Sequence, residues 1–187
     1  SLVSINIPEG VTSIGSEAFS GCSSLVSINI PEGVTSIGSE AFSGCSSLVS
    51  INIPEGVTSI GSEAFSGCSS LASINIPESV TSIGSKIVEG CNGEIIINCN
   101  IPSGTSSTYG VFSGSSCSRV IIGKNVTTIG NYAFNGCTNL KELVLENGDE
   151  ALSLGYNYSV DYYLDGLFCD CSLETLYLGR NLNYPSV

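Results

Sequence analysis

Large apolar side chains recur at one spacing along the first 92 residues of the chain. In residues 1–23 they fall at Leu2, Ile5, Ile7, Val11, Ile14, Phe19 and Cys22, with Ala18 beside Phe19. The same 23 residues follow unchanged at 24–46 and 47–69, and a fourth copy with a few substitutions occupies 70–92. Self-similarity at this period predicts a solenoid. Ile5 and Ile7 alternate with Ser4 and Asn6, so Leu2-x-x-Ile5-x-Ile7 predicts a short strand with one buried face. Pro8 lacks an N–H and ends the ladder there, and Gly10 permits the turn that follows. Val11 to Ile14 reads as a second short extended stretch. Ser16 then caps a brief helical turn, Glu17-Ala18-Phe19, with Glu17 near its positive end. One repeat buries too little to fold alone, so neighbours must stack. Parallel strands would then advance about 4.8 Å per coil.

The second half drifts but keeps the frame. Ile96-x-x-Cys99-x-Ile101-Pro102 reads as Leu2-x-x-Ile5-x-Ile7-Pro8, and Val111-Phe112-Ser113-Gly114 as Ala18-Phe19-Ser20-Gly21. Cys117, Val120 and Ile122 open the next coil, which Ile129-Gly130 and Ala133 to Cys137 complete. Leu140, Leu143 and Leu145 open another, interrupted by an insertion over about 147–165. Gly166 to Cys171 resumes the pattern, and Leu173, Leu176 and Leu178 begin a last coil. The expectation is one α/β solenoid of about eight coils over residues 1–187. A parallel sheet lies on one face, with short strands and helical turns on the other.

The motif L-x-x-I-x-I-P-x-x-V-x-x-I-G-x-x-A-F-x-x-C closely resembles the BspA-like leucine-rich repeat family. The resemblance covers essentially the whole chain and is most specific over residues 1–92. It implies a secreted or surface-attached protein of anaerobic, often host-associated, bacteria or of some protists. It also implies an adhesin that binds host extracellular proteins or other cells. The Asn that many leucine-rich repeats carry eight residues after the first Leu is Gly10, Gly33 and Gly56 here. It is kept only as Asn125 and Asn181.

Composition narrows the partners. The 17 acids and 5 bases leave a net charge of −12. Nucleic acid and anionic membrane surfaces both need Lys/Arg clusters, so neither is an expected partner. Ile95 to Ile97 and Val120 to Ile122 are far too short to span a bilayer, so no membrane insertion is expected in this segment. The chain has no Met, and Ser1 falls at a repeat boundary, which reads as a processed chain or an excised fragment. The expected location is extracellular or at the cell surface.

Four groups of residues could carry chemistry. Cys22, Cys45, Cys68, Cys91, Cys137 and Cys171 share one repeat position. In-register Cβ atoms would stay near 5 Å apart, beyond the preferred disulfide distance, so they read as a column of buried thiols. Cys169-x-Cys171 is the one close pair, and there is no His, so no zinc set is expected. Glu9, Glu32, Glu55 and Glu78, and Glu17, Glu40 and Glu63, form two acidic columns. They read as solvated ladders with too few oxygens for calcium. Ser4, Asn6, Ser27, Asn29, Ser50, Asn52, Ser73 and Asn75 line the strand face, the surface such solenoids use for binding. Their amides can also bond one another along the rod, and that stabilising ladder is the stronger expectation for these rows. Finally, Tyr156, Tyr158, Tyr162 and Tyr163 lie among Asp149, Glu150, Asp161 and Asp165 in the insertion, a setting suited to a sugar or peptide. Sequons occur at Asn125-Val126-Thr127 and Asn157-Tyr158-Ser159.

No catalytic residues, metal or cofactor are expected, since a Ser or Cys nucleophile would lack its usual His base. Two functions follow as expectations. The first is a surface interaction or adhesion module for a protein or glycan on another cell or matrix. The second is a structural rod, or a subunit that pairs with itself end to end.

Overall fold

Each coil places one strand on a first face, and most coils add a shorter strand on a second. The computed structural model describes residues 2–104, 109–154, 167–168 and 170–183. The first four coils hold β1 (Ser4–Asn6) and β2 (Ser13–Ile14), β3 (Ser27–Asn29) and β4 (Ser36–Ile37), β5 (Ser50–Asn52) and β6 (Ser59–Ile60), and β7 (Ser73–Ile76) and β8 (Ser82–Ile83). Among the described residues the fifth holds β9 (Glu94–Ile97) alone. Then come β10 (Arg119–Ile122) and β11 (Thr128–Ile129), β12 (Glu142–Leu145) and β13 (Leu152–Leu154), and β14 (Thr175–Leu178) and β15 (Leu182–Asn183). The first face comprises the sheets β1-β3-β5 and β7-β9-β10-β12-β14; the second comprises β2-β4-β6-β8 and β11-β13-β15. Every recorded pairing between these strands is parallel, and Ile5, Ile28 and Ile51 stack in one row.

The core lies between the faces. Leu25, Leu48, Leu71 and Leu140 are buried at one repeat position, and Val34, Val57 and Val80 at another. Phe19, Phe42 and Phe65 stack with ring centroids 5.3 and 5.5 Å apart. Phe112, Phe134 and Phe168 form a second stack at 5.2 and 5.5 Å. The fourth coil separates them, because Ile87 and Val88 stand where the first three coils carry Ala and Phe. That exchange keeps the pair's combined bulk similar, so the core stays filled.

The expected helical turn is not formed, and no helix is present among the described residues. Glu17, Glu40 and Glu63 sit at φ of 57, 55 and 56°, in the left-handed region, so none can begin a right-handed turn. The backbone instead divides its donors. Ala18, Ser20 and Cys22 donate N–H bonds three residues back, to Gly15, Glu17 and Phe19. Glu17, Phe19 and Gly21 donate along the rod to Ser39, Ala41 and Ser43 of the next coil. Axial bonding therefore replaces the bonds a helix would make within itself. Gly21 and its equivalents Gly44, Gly67 and Gly90 take φ of 70–73° to close the segment.

The fifth coil departs from the expected register. Ile95 and Ile97 pair with Ile74 and Ile76, so they hold the strand positions of Ile5 and Ile7. Ile101 instead pairs with Ile129 and holds the place of Ile14. The coil thus cuts the corner between its faces: four residues lead from Ile97 to Ile101 where seven lead from Ile76 to Ile83. Ile101-Pro102 resembled Ile7-Pro8, but the inward alternation of Ile95 and Ile97 decides the register. In the stretch read as an insertion, Leu152–Leu154 is regular: Ser153 and Leu154 pair with Thr128 and Ile129 as β13. Residues 155–166, with all four tyrosines, Asn157, Asp161 and Asp165, lie outside the described residues, as does Cys169.

Candidate interaction face

Outward positions of the first face form the candidate site. Register stacks Ser4 on Ser27 and Ser50, and Asn6 on Asn29 and Asn52. Ser73 and Asn75 hold the same positions in the fourth coil, and β9 extends them as Glu94 and Ile96. All eight Ser and Asn side chains are exposed. The expected residues therefore share one surface. They do not form a continuous amide ladder: among the described residues, Asn6, Asn29 and Asn52 make no side-chain hydrogen bond. One amide pair is made, Asn98 Nδ2 donating to Asn75 Oδ1 at 2.7 Å. Water competes for amides exposed in this way. Val3, Val26 and Val49, exposed by 55, 43 and 47%, flank the Ser row.

Beyond β7 the same surface changes chemistry. Ile96, Ile121, Val144 and Tyr177 follow one another at the Asn position, in register. The first three are half-buried and Tyr177 is 57% exposed. Glu94, Arg119, Glu142 and Thr175 follow at the Ser position. Arg119 bridges its two neighbours, with Nη1 on Glu94 and Nε 3.1 Å from Glu142 Oε1. The Glu142 bond, then the Glu94 bond, push the guanidinium pKa up. Lys141 Nζ lies 2.8 Å from Glu174 Oε1 alongside. Sequence reasoning missed these residues because it followed what repeats. The signal was present: in Glu94–Ile97, Arg119–Ile122, Glu142–Leu145 and Thr175–Leu178 the polar residue at the second outward position is lost.

The cysteine column is built into the core. Cys45, Cys68, Cys91 and Cys137 are buried. Each S–H donates to a Phe carbonyl one coil earlier: Cys45 to Phe19 at 3.2 Å, Cys68 to Phe42 at 3.3 Å, Cys91 to Phe65 at 3.0 Å, and Cys137 to Phe112 at 3.1 Å. Burial, with some help from Cys22, pushes the Cys45 thiol up to about 11. A hydrogen bond with Cys91, then burial, raises Cys68. Such thiols stay protonated and serve as small hydrophobes with a weak donor. Glu9, Glu32, Glu55 and Glu78 stand exposed at the corner after the first face. Among the described residues, no three His, Cys, Asp or Glu side chains come together as a metal set.

Near the far end, Arg180 is buried. Its guanidinium donates to the carbonyls of Lys124 and Val126 at 2.8 and 2.6 Å and of Gly123 at 2.7 Å. It thereby fixes the corner that leads into β11. Lys124, Asn147, Asp149 and Glu150 line an open cleft of 440 Å³ on that side. Among the described residues no helix is long and apolar enough to cross a membrane.

Comparison with known proteins places this geometry. The crystal structure of a leucine-rich repeat protein from Bacteroides ovatus is 30% identical over 86% of this chain, with a TM-score of 0.62. The leucine-rich repeat protein of T. pallidum is 28% identical over 78% of this chain and 73% of its own, with a TM-score of 0.58. A leucine-rich cell surface protein from Faecalibacterium prausnitzii is 30% identical over 79% of this chain, with a TM-score of 0.53. This chain spans 46% of the B. ovatus chain and 33% of the F. prausnitzii chain. No curated protein matches it. The model of the BspA type leucine rich repeat region matches residues 1–109 and 96–185, with six copies. Nearly every coil described above lies within that match, and the chain belongs to the BspA-type leucine-rich repeat family.

Proposed function

We propose that the chain is a non-enzymatic interaction module, displayed at a cell surface or secreted, whose strand face contacts a protein or glycan on another cell or matrix. It acts as a single solenoid of eight coils. The observation that carries this reading is the outward surface of the first face. Among the described residues it is free of secondary-structure cover, and it presents side chains at fixed spacing. Solenoids of this kind use such extended surfaces for binding. The Ser and Asn rows suit weak contacts repeated along a partner, where linkage multiplies affinity. The net charge of −12 turns the module away from nucleic acid and anionic lipid. The test is binding to a panel of purified extracellular-matrix proteins, with and without the pair Asn29→Asp and Asn52→Asp. Loss of binding in the pair supports the ladder as a contact, and unaltered binding removes these positions from it.

A second reading is a structural rod or a head-to-tail filament subunit. It is supported by apolar side chains left uncovered in the first and last described coils. Leu2 and Ile5 are 38 and 36% exposed where Leu25 and Ile28 are buried, and Leu176 and Leu178 are 45 and 57% exposed. A further coil, from the same chain or a second copy, would stack on either set, and a head-to-tail contact does not close. Sedimentation at high concentration decides it: a strictly monomeric chain rules out self-assembly.

A further inference from the structure

The two halves of the strand face differ in what they offer a partner. Over the first three coils the outward rows are the same Ser, Asn and Val again and again. Over the last four the side chains are individual, and each is placed by register against a different neighbour. At the end of the apolar row, Val144, Tyr177 and Glu146 line an open depression of 550 Å³. Glu146 is exposed, accepts a hydrogen bond from the Lys124 N–H at 3.3 Å, and forms no ion pair among the described residues. Tyr177 holds the outward position of Val144 on β14, the edge strand of this sheet.

We infer that the last four coils carry the selective contact, and that the Val144–Tyr177–Glu146 depression receives a lysine or arginine side chain of a protein partner. The chemistry fits such a side chain at both ends. Its alkyl stem covers Val144 and the ring of Tyr177, and its cationic head meets the Glu146 carboxylate and the ring face. Ile121 and Ile96 continue the apolar contact beyond it. The Glu94–Arg119–Glu142 row, with two acids to one base, lies beside them and rejects an acidic partner. The chain's charge of −12 draws in a basic one. In this scheme the identical first coils act as a spacer. The inference rests on the strand-face reading above and narrows it to one section and one partner chemistry.

The experiment uses the full chain. A displayed library of random short peptides is selected on it, and the best binder is titrated by calorimetry. The expected binders carry Lys or Arg beside aliphatic or aromatic residues. Glu146→Gln and Tyr177→Ser each weaken them about tenfold. Glu9→Gln with Glu32→Gln, at the exposed corner beyond the face, changes affinity less than about twofold, and circular dichroism confirms that each variant folds. Binders that lack basic residues, or no binders, overturn the inference. Binding abolished by the pair Asn29→Asp and Asn52→Asp but not by Glu146→Gln also overturns it, while leaving the strand face in place. Binding indifferent to all these changes overturns both readings.

Discussion

Asn125 Nδ2 donates to Glu78 Oε2 at 3.0 Å, although the two residues belong to coils that are not neighbours. The contact exists because the fifth coil cuts the corner that every adjacent coil completes. Removing that loop lets the fourth and sixth coils meet over the gap. Both partners are exposed, so the bond is worth little in isolation. A double-mutant cycle on Glu78→Ala and Asn125→Ala should give a coupling of about 0.5–1 kcal/mol in urea unfolding. Zero coupling would show that the corner closes without it.

Stacking makes one repeat position tolerant in the first coil and intolerant in the second. A Cβ added at Gly15 meets nothing within 4 Å, whereas at Gly38 it would lie 2.4 Å from the Ser16 backbone nitrogen. Gly15→Ala should therefore be neutral or stabilising by up to about 1 kcal/mol. Gly38→Ala should cost about 1–3 kcal/mol or more, since backbone must move. Equal thermal shifts in the two variants would contradict the close approach of the coils.

The left-handed conformation of Glu40, at φ 55°, strains a residue that has no local reason to prefer it. Glycine adopts that conformation without the Cβ penalty, at some entropic cost in the unfolded chain. Glu40→Gly should raise stability by about 0.5–1 kcal/mol, read from the urea midpoint. A loss instead would mean that the glutamate column makes a contribution larger than the strain.

Alkaline pH should loosen the core through its thiols. Burial, with help from Cys22, moves Cys45 from an ordinary value of 9.0 to about 11, and burial moves Cys99 to about 11 also. A raised acid pKa means the folded state holds its proton longer than the unfolded state. The stabilisation is therefore complete below pH 9 and is lost as pH rises towards 11. Urea unfolding across that interval should show falling stability, and Cys45→Ala with Cys99→Ala should flatten the slope.

Much of the architecture can be read from periodicity, and the failures have physical causes. Ile5 and Ile7 alternate with Ser4 and Asn6, and that alone predicts β1 and its stacked copies. Ser16-Glu17-Ala18-Phe19 reads as a capped helical turn because capping is a local signal. The N–H groups that a helix would use are instead drawn to Ser39 and Ala41, which no local rule anticipates. The match of Ile96, Cys99, Ile101 and Pro102 to Leu2, Ile5, Ile7 and Pro8 misled the register of the fifth coil because it outweighed the alternation of Ile95 and Ile97. For the candidate face, identical Ser and Asn rows attracted notice by repeating. Ile96, Ile121, Val144 and Tyr177 were hidden by being different from one another.

The corner that carries Glu17, Phe19 and Gly21 sends all three axial N–H bonds in one direction, towards later coils. A chain made from its N-terminus therefore lays down donors first and supplies their acceptors only one repeat later. At this corner each coil is left incomplete until its successor arrives, whereas Val26, Thr35 and Gly38 donate back to the coil already made.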